Sequence, residues 1–170
     1  MGVFDKPRGG PPEPVLVGRL GWRNARSNET EEPVLSQRTL VLIKPDAVRR
    51  GLVGRVLARF EDKGLTIVAM RQRTMDAALA DTHYADHVHK PFYPPLKTFM
   101  TSGPLVALVL EGDEAIDVVR ALVGVTDGRK AAAGTIRGDF SLSNRENLVH
   151  ASDSLESAKR EIDLWFPELG

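Results

Sequence analysis

The stretch that decides the fold is Thr39-Leu40-Val41-Leu42-Ile43-Lys44-Pro45-Asp46. Its first five residues are β-branched or apolar without interruption, which is typical of a strand buried on both faces. Pro45 has no backbone N–H and ends the strand, and Asp46 is a suitable cap for a following helix. The sequence therefore predicts a central buried strand that leads directly into a helix.

Downstream of this strand, helical and extended patterns alternate. Apolar residues at helical spacing predict one helix over residues 46–64, with Gly51 inside it and Gly64 closing it. Further strands are predicted at 65–70, 105–110 and 148–149, and further helices at 76–87, 96–102, 115–123 and after Ser154. The order β-α-β-(α-α)-β-α-β-α predicts an α/β (α+β) fold, with a ferredoxin-like split βαβ antiparallel sheet covered by helices.

The bulk composition limits the classes of function. Lys+Arg and Asp+Glu both number 23, so a net field does not favour nucleic acid or an anionic membrane as a partner. No apolar run approaches the roughly 20 residues that span a bilayer. The absence of cysteine excludes disulfides, thiolate zinc sites and a cysteine nucleophile. These features favour a cytoplasmic protein.

Residues 1–37 differ from the rest of the chain. They are rich in turn-forming residues and show no sustained periodicity. We expect a flexible N-terminal extension over 1–37, followed by one globular domain over 38–170. An incorrectly assigned start codon, with initiation near Val34 or Leu35, is an alternative.

The second informative stretch is Glu146-Asn147-Leu148-Val149-His150-Ala151-Ser152-Asp153-Ser154. It places one histidine after an apolar pair and before a Ser/Asp-rich helix start, with Arg137 and Asn147 upstream. Imidazole can take and return a group at neutral pH, and arginine has the shape to bind phosphate. The combination points to a phosphoryl-transfer site with a histidine nucleophile.

Each candidate side chain also has an ordinary structural interpretation. A lone histidine such as His150 is more often a hydrogen-bonded structural residue, and Arg120 is by default a surface charge. No Gly-x4-Gly-Lys-Ser/Thr loop is present in the sequence, so side chains would have to bind the phosphates. The available set is Lys44, Arg120, Thr126 and Arg137.

Three further histidines lie close together in the sequence. His83 and His87 are four residues apart, as zinc ligands on a helix often are, and His89 follows. No HExxH arrangement is present and no carboxylate completes a metal site. A solvated or capping role is therefore expected for these histidines.

Several motifs resemble nucleoside diphosphate kinases, in family order and at family-like spacing. The first is Ile43-Lys44-Pro45-Asp46-Ala47-Val48, followed by Arg50-Gly51-Leu52-Val53-Gly54. The others are His83-Tyr84, Pro91-Phe92-Tyr93-Pro94, Ser102-Gly103-Pro104, Gly134-Thr135-Ile136-Arg137-Gly138-Asp139-Phe140 and Asn147-x-x-His150-x-Ser152-Asp153-Ser154. The resemblance covers residues 38 to about 167.

The resemblance implies an enzyme that moves the γ-phosphate of a nucleoside triphosphate to a nucleoside diphosphate. It makes His150 the nucleophile, phosphorylated on the pros nitrogen, in a ping-pong mechanism that maintains nucleoside triphosphate pools. By the same resemblance, Glu161 and Ser152 orient the imidazole, and Lys44 and Tyr84 lie near the transferred phosphoryl group. The outer phosphates are bound by Arg120, Thr126 and Arg137. The sugar 3′-hydroxyl is bound by Asn147 with Lys44, and Phe92 stacks on the base. It also implies Mg²⁺ held mainly through substrate phosphates, without protein metal ligands, and a homotetramer or homohexamer.

Two positions depart from the family pattern. Ala151 replaces the glycine that commonly follows the histidine, and Asn144 lies where an apolar residue often faces the base. Two other functions are alternatives: a non-catalytic nucleotide-binding scaffold, and a phosphohistidine relay that passes phosphate to a protein. A scaffold would not need His150, and a relay would not need Phe92 and Asn147.

Overall fold

The computed structural model describes residues 36–169 and shows a four-stranded antiparallel sheet. The strands are β1 (Ser36–Ile43), β2 (Thr66–Thr74), β3 (Pro104–Asp113) and β4 (Val149–Ala151). They lie in the order β2-β3-β1-β4, so that β3 separates the two strands of the first βαβ unit. The predicted split βαβ, ferredoxin-like architecture is confirmed.

The interior position of β1 explains its uninterrupted apolar sequence. It pairs with β3 along its whole length and with β4 at its end. Val41 and Ile43 face one core cluster, and Leu40 and Leu42 face a second cluster on the opposite side of the sheet. All four side chains are fully buried because successive residues of a strand point to opposite faces.

Helices cover both faces of the sheet. They are α1 (Pro45–Arg49), α2 (Val53–Glu61), α3 (Ala77–His83), α4 (Tyr93–Met100), α5 (Ala115–Val123), α6 (Ile136–Phe140) and α7 (Leu155–Trp165). Two short 3₁₀ turns, Ala85–His87 and Pro167–Leu169, complete the described chain. No helix within residues 36–169 is long and apolar enough to cross a bilayer.

The structure corrects three of the helix predictions and adds one helix. The helix predicted over 76–87 ends at His83, and the 3₁₀ turn Ala85–His87 follows it. The single helix predicted over 46–64 is two helices, because Gly51 adopts a φ of +66° that no regular helix contains. Helix α4 begins at Tyr93, before the predicted 96, because proline is well tolerated in a first helical turn. Helix α6 was not predicted; the Thr135 side chain caps it by accepting from the Gly138 N–H.

Residues 1–35 and Gly170 lie outside the described residues, and so does most of the predicted extension over 1–37. Strand β1 begins at Ser36, and Ser36 and Gln37 pair with Asp113 and Gly112 of β3. The last two residues assigned to the extension are therefore part of the sheet.

Candidate active site

A cleft of about 880 Å³ opens at the end of β1 and β4. Nine of the ten site residues expected from the sequence line it: Lys44, Tyr84, Phe92, Arg120, Thr126, Arg137, Asn147, His150 and Glu161. Ser152, the tenth, lies behind Glu161. Residues from distant parts of the chain are therefore brought to one place.

His150 belongs to the short strand β4 and contacts a carboxylate from α7. Its Nε2 lies 3.2 Å from Glu161 Oε1, and Ser152 Oγ donates to Glu161 Oε2 at 2.7 Å. Burial alone would raise the pKa of Glu161, but hydrogen bonding and charge from His150, with a bond from Ser152, outweigh it and lower the pKa to about 2. An ionised Glu161 accepts from Nε2–H, which leaves Nδ1 of His150 as the nitrogen with a free lone pair.

The backbone just before His150 is held in a strained conformation. Leu148 has a φ of 74°, which is rare for a non-glycine residue. Its N–H donates to Asp46 Oδ2 at 3.1 Å, and its carbonyl accepts from the Lys44 N–H at 2.8 Å. The segment after β1 therefore fixes the turn that places Asn147 and His150.

Lys44 is buried at the base of the cleft beside Asn147. Its Nζ donates to Asn147 Oδ1 at 2.6 Å, while Asn147 Nδ2 donates to the carbonyls of Thr126 and Asn144. Burial, followed by the charge of Arg137 and opposed by Asp46, lowers the pKa of Lys44 to about 7. Lys44 can thus change its charge near neutral pH.

Arg137 connects three backbone segments around the cleft. Its guanidinium donates to the carbonyls of Gly124 (2.8 Å), Val149 (2.6 Å) and Asn147 (3.2 Å). Burial, and then the charge of Arg120, lowers the pKa of Arg137 to about 10, so it stays cationic at neutral pH. Two of its five N–H donors remain available for an anion.

The cleft concentrates positive charge near its outer part. Arg120 on α5 and Thr126 in the following loop are both exposed there. Arg129, Arg145 and Arg160 also line the cleft. An anionic ligand such as a polyphosphate suits this lining, although the chain has no net charge.

Aromatic side chains also line the cleft. Phe92 is half exposed, and its ring lies 5.6 Å from that of His87. Tyr84 is buried with its ring 6.1 Å from that of His150, and burial raises the pKa of its phenol. Tyr84 is therefore neutral and can act as a hydrogen-bond donor.

The sequence predicts a solvated or capping role for both His83 and His87, and no site role for either. His87 lines the cleft, and its Nδ1 lies 3.0 Å from Lys90 Nζ. The available signal was its position between Tyr84 and Phe92. The expectation was wrong for His83, which is buried and bonded to Trp165, a contact between residues 82 apart that local spacing does not reveal.

The contact of His150 with Glu161, in a cationic cleft with an exposed aromatic ring, suits a nucleotide phosphotransferase. The family comparison agrees, since the model for nucleoside diphosphate kinases matches residues 37–169. The chain belongs to the nucleoside diphosphate kinase family.

Individual relatives are similar over nearly their whole length. A nucleoside diphosphate kinase of a Nocardioides species is 76% identical over 135 residues, covering 79% of this chain and 100% of the relative. That of Mycobacteroides abscessus is 61% identical over 136 residues, covering 79% and 100%.

Solved structures share the fold. A halophilic nucleoside diphosphate kinase from Halobacterium salinarum, in complex with CDP, has a TM-score of 0.75 at 47% identity, covering 77% of this chain and 88% of that one. The Aquifex aeolicus nucleoside diphosphate kinase has a TM-score of 0.76 at 42% identity, covering 79% and 97%.

Proposed function

We propose that this chain transfers the γ-phosphate of a nucleoside triphosphate to a nucleoside diphosphate through a phosphohistidine on His150. The observation that carries the proposal is the contact of His150 with Glu161 inside a cleft lined by arginines. Through this reaction the protein would maintain nucleoside triphosphate pools.

In the first half-reaction, Nδ1 of His150 attacks the γ-phosphorus. The bond from phosphorus to the bridging oxygen breaks, and the nucleoside diphosphate leaves with the electron pair. Glu161 holds Nε2–H and stabilises the positive charge that develops on the imidazole. Ser152 keeps the second carboxylate oxygen of Glu161 in place.

The second half-reaction is the reverse, with a different nucleotide. A terminal oxygen of the acceptor diphosphate attacks the phosphorus, the N–P bond breaks, and neutral His150 is regenerated. Because one cleft accepts both nucleotides in turn, the kinetics are ping-pong.

The remaining cleft residues suit the parts of a nucleotide. We assign the outer phosphates to Arg120, Thr126 and Arg137, which lie on the cationic side. Lys44 and Tyr84 lie near His150 and suit the transferred phosphoryl group. Phosphoryl transfer depends mainly on positioning and charge neutralisation, which these side chains provide.

The nucleoside is assigned to the Asn147 and Phe92 parts of the cleft. Asn147 Oδ1 accepts from Lys44 and has a second lone pair that can accept from a sugar hydroxyl, while two backbone carbonyls hold its Nδ2. The exposed ring of Phe92 gives the base a stacking surface. Stacking accepts any base because every base has a π-face, so we expect broad base specificity.

We propose Mg²⁺ as the cofactor, bound through the substrate. Glu161 is engaged by His150 and Ser152, and the other carboxylates among the described lining residues are Asp86 and Asp153. These carboxylates do not form a complete ligand set for the ion. The cleft suits a metal ion that enters bound to the nucleotide phosphates, which Arg120 and Arg137 hold. When bound, Mg²⁺ neutralises phosphate charge.

Assembly and location extend the same proposal. We infer a homotetramer or homohexamer by analogy with the family, and a cytoplasmic location because nucleoside di- and triphosphates are turned over there. Gel filtration with light scattering measures the number of subunits; a monomeric active protein contradicts the assembly.

The decisive experiment is a brief incubation with γ-labelled ATP and Mg²⁺, followed by intact-mass analysis and a chase with GDP. We expect one acid-labile phosphoryl group that GDP discharges as GTP. His150→Ala should lose the adduct and at least about 10³-fold in turnover. His89→Ala is the matched control, because His89 is exposed and does not line the cleft.

Two results would contradict the proposal. Near-normal turnover by His150→Ala would exclude the covalent mechanism. A labelled protein that transfers phosphate to a protein side chain and not to GDP would be a relay.

A further inference from the structure

A buried histidine and a buried tryptophan lie directly behind His150. His83 is the last residue of α3 and Trp165 is the last residue of α7. Trp165 Nε1–H donates to His83 Nδ1 at 3.2 Å, and His83 and Trp165 are 2% and 0% exposed. Neither side chain has a role in the mechanism above.

The hydrogen bond from Trp165 determines which nitrogen of His83 carries the proton. An indole nitrogen only donates, so Nδ1 must present its lone pair, and the proton of neutral His83 must be on Nε2. His83 is buried and its Nδ1 accepts from Trp165, an environment that favours the neutral ring. His83 Nε2 is buried and has no hydrogen-bond partner within residues 36–169.

His83 also belongs to a potential metal site, and Nε2 is its only nitrogen that Trp165 does not engage. One nitrogen of His83, one of His150 and a carboxylate oxygen of Glu161 all lie within 4.8 Å of one another. Two imidazoles and a carboxylate form a typical zinc ligand set, and each imidazole must offer a lone pair to bind. A zinc ion held there would occupy both the nucleophile and the carboxylate that orients it.

We propose that Trp165 locks His83 in the Nε2–H tautomer, and that the locked ring prevents transition-metal binding by the His83, His150 and Glu161 cluster. His83 lies edge-on to His150. Its ring centroid is 4.8 Å from that of His150, with the planes 76° apart. The exclusion of metal does not rest on the proposed function of His150.

Zinc binding at Nε2 would require His83 to change its tautomer. If zinc bound Nε2, the proton would have to move to Nδ1, where it would meet the Trp165 N–H, and two donors would oppose each other. Removing the indole N–H removes that conflict. Trp165→Phe keeps a buried aromatic ring and deletes only the donor and part of the ring area.

The first test measures Zn²⁺ binding without nucleotide, by competition with a chromophoric chelator. We expect Trp165→Phe to bind Zn²⁺ at least about 10-fold more tightly than the wild type, the factor expected when a buried hydrogen bond that opposes the change is lost. Adding His83→Asn should abolish the gain. Adding His89→Asn instead, at an exposed histidine outside the cluster, should leave the increased Zn²⁺ affinity unchanged. Equal Zn²⁺ affinity in Trp165→Phe and wild type would overturn the metal-exclusion role.

The second test uses the wild-type protein and does not depend on how well the variant folds. The ¹⁵N chemical shifts of the histidines distinguish the two neutral tautomers from imidazolium, and the signal lost in His83→Asn identifies His83. We expect a protonated Nε2 and an unprotonated Nδ1. A protonated Nδ1 in the wild type would overturn the lock.

The tests separate this inference from the proposed function. If the wild type forms no phosphohistidine but shows the expected tautomer and zinc results, the kinase proposal fails and the lock stands. If the phosphohistidine forms and the tautomer is wrong, the lock fails and the kinase proposal stands.

Discussion

Glu161→Gln tests how the protein activates His150. The substitution keeps the size and shape of the side chain and removes its charge. In the structure Glu161 is 4% exposed, so solvent cannot replace the lost interaction. A neutral amide can still contact His150 Nε2, and the variant therefore isolates the contribution of charge.

The expected size of the effect follows from the site. Hydrogen bonding and charge from His150 outweigh burial and lower the pKa of Glu161, so the site favours the charged carboxylate. Gln retains a neutral hydrogen bond, so the loss when positive charge develops on the ring is about 1–2 kcal/mol. The rate of His150 phosphorylation should fall by about 5- to 30-fold.

The assay is a rapid-quench measurement of phosphoenzyme formation from γ-labelled ATP, with nucleotide affinity measured separately by calorimetry. We expect a slower phosphorylation rate and an ADP affinity within about twofold of wild type, because Glu161 holds the nucleophile and not the nucleotide. Asp163→Asn is the control, since Asp163 is an exposed acid on the same helix.

Two outcomes would refute the reasoning. A phosphorylation rate in Glu161→Gln equal to that of Asp163→Asn would show that the carboxylate does not act through charge. A fall in ADP affinity that accounts for the whole loss would show that Glu161 shapes the binding cleft and does not orient His150.

Four further perturbations have definite expected outcomes. Because the pKa of Lys44 is lowered to about 7, its positive charge disappears as pH rises through that value. Calorimetry should therefore show weaker ADP binding at pH 9 than at pH 6, and Lys44→Met should lose this pH dependence. An unchanged pH dependence in Lys44→Met would assign the effect to another group. Gly138→Ala should destabilise the protein to chemical denaturation by at least about 2 kcal/mol, because the new Cβ would lie 2.0 Å from a backbone carbonyl oxygen. Gly54→Ala is the control for Gly138→Ala, because Gly54 lies in α2 with open space around it. This substitution should raise the free energy of unfolding by about 0.5–1 kcal/mol. Equal effects of the two substitutions on stability would contradict the packing argument. Phe92→Ala should weaken binding of adenine, guanine and cytosine nucleotides to a similar extent, by about 1–3 kcal/mol in calorimetry, and a loss confined to one base would disprove simple stacking. Deleting residues 1–35 should leave turnover unchanged in a coupled assay, and a large loss would give that segment a role in the site or in assembly.

Local sequence signals were sufficient for much of the fold. Strand β1 follows from a continuous apolar run, and α5 has its predicted bounds of Ala115–Val123. The prediction of one helix over 46–64 is wrong because a single residue changes the backbone conformation. Gly51 interrupts an apolar periodicity that continues across it, because the pattern reports which face is buried and not whether the helix is unbroken.

For the site, the order of the motifs predicts which residues line the cleft but not what those residues contact. The sequence does not show that Arg137 also holds three backbone carbonyls, or that Lys44 is buried enough to change its pKa. The burial of His83 depends on Trp165, which lies 82 residues further along the chain. Such properties arise from contacts between distant elements, and a linear pattern has no information about them.

The strained turn at Leu148 has a consequence for protein engineering. Strand β4 has only three residues, and the turn before it is held by hydrogen bonds from the segment after β1. Grafting residues 147–152 onto another scaffold would therefore carry over the nucleophile without the groups that set its direction. The smallest portable unit is discontinuous: it needs residues 43–46, residues 147–152 and the carboxylate of Glu161 together.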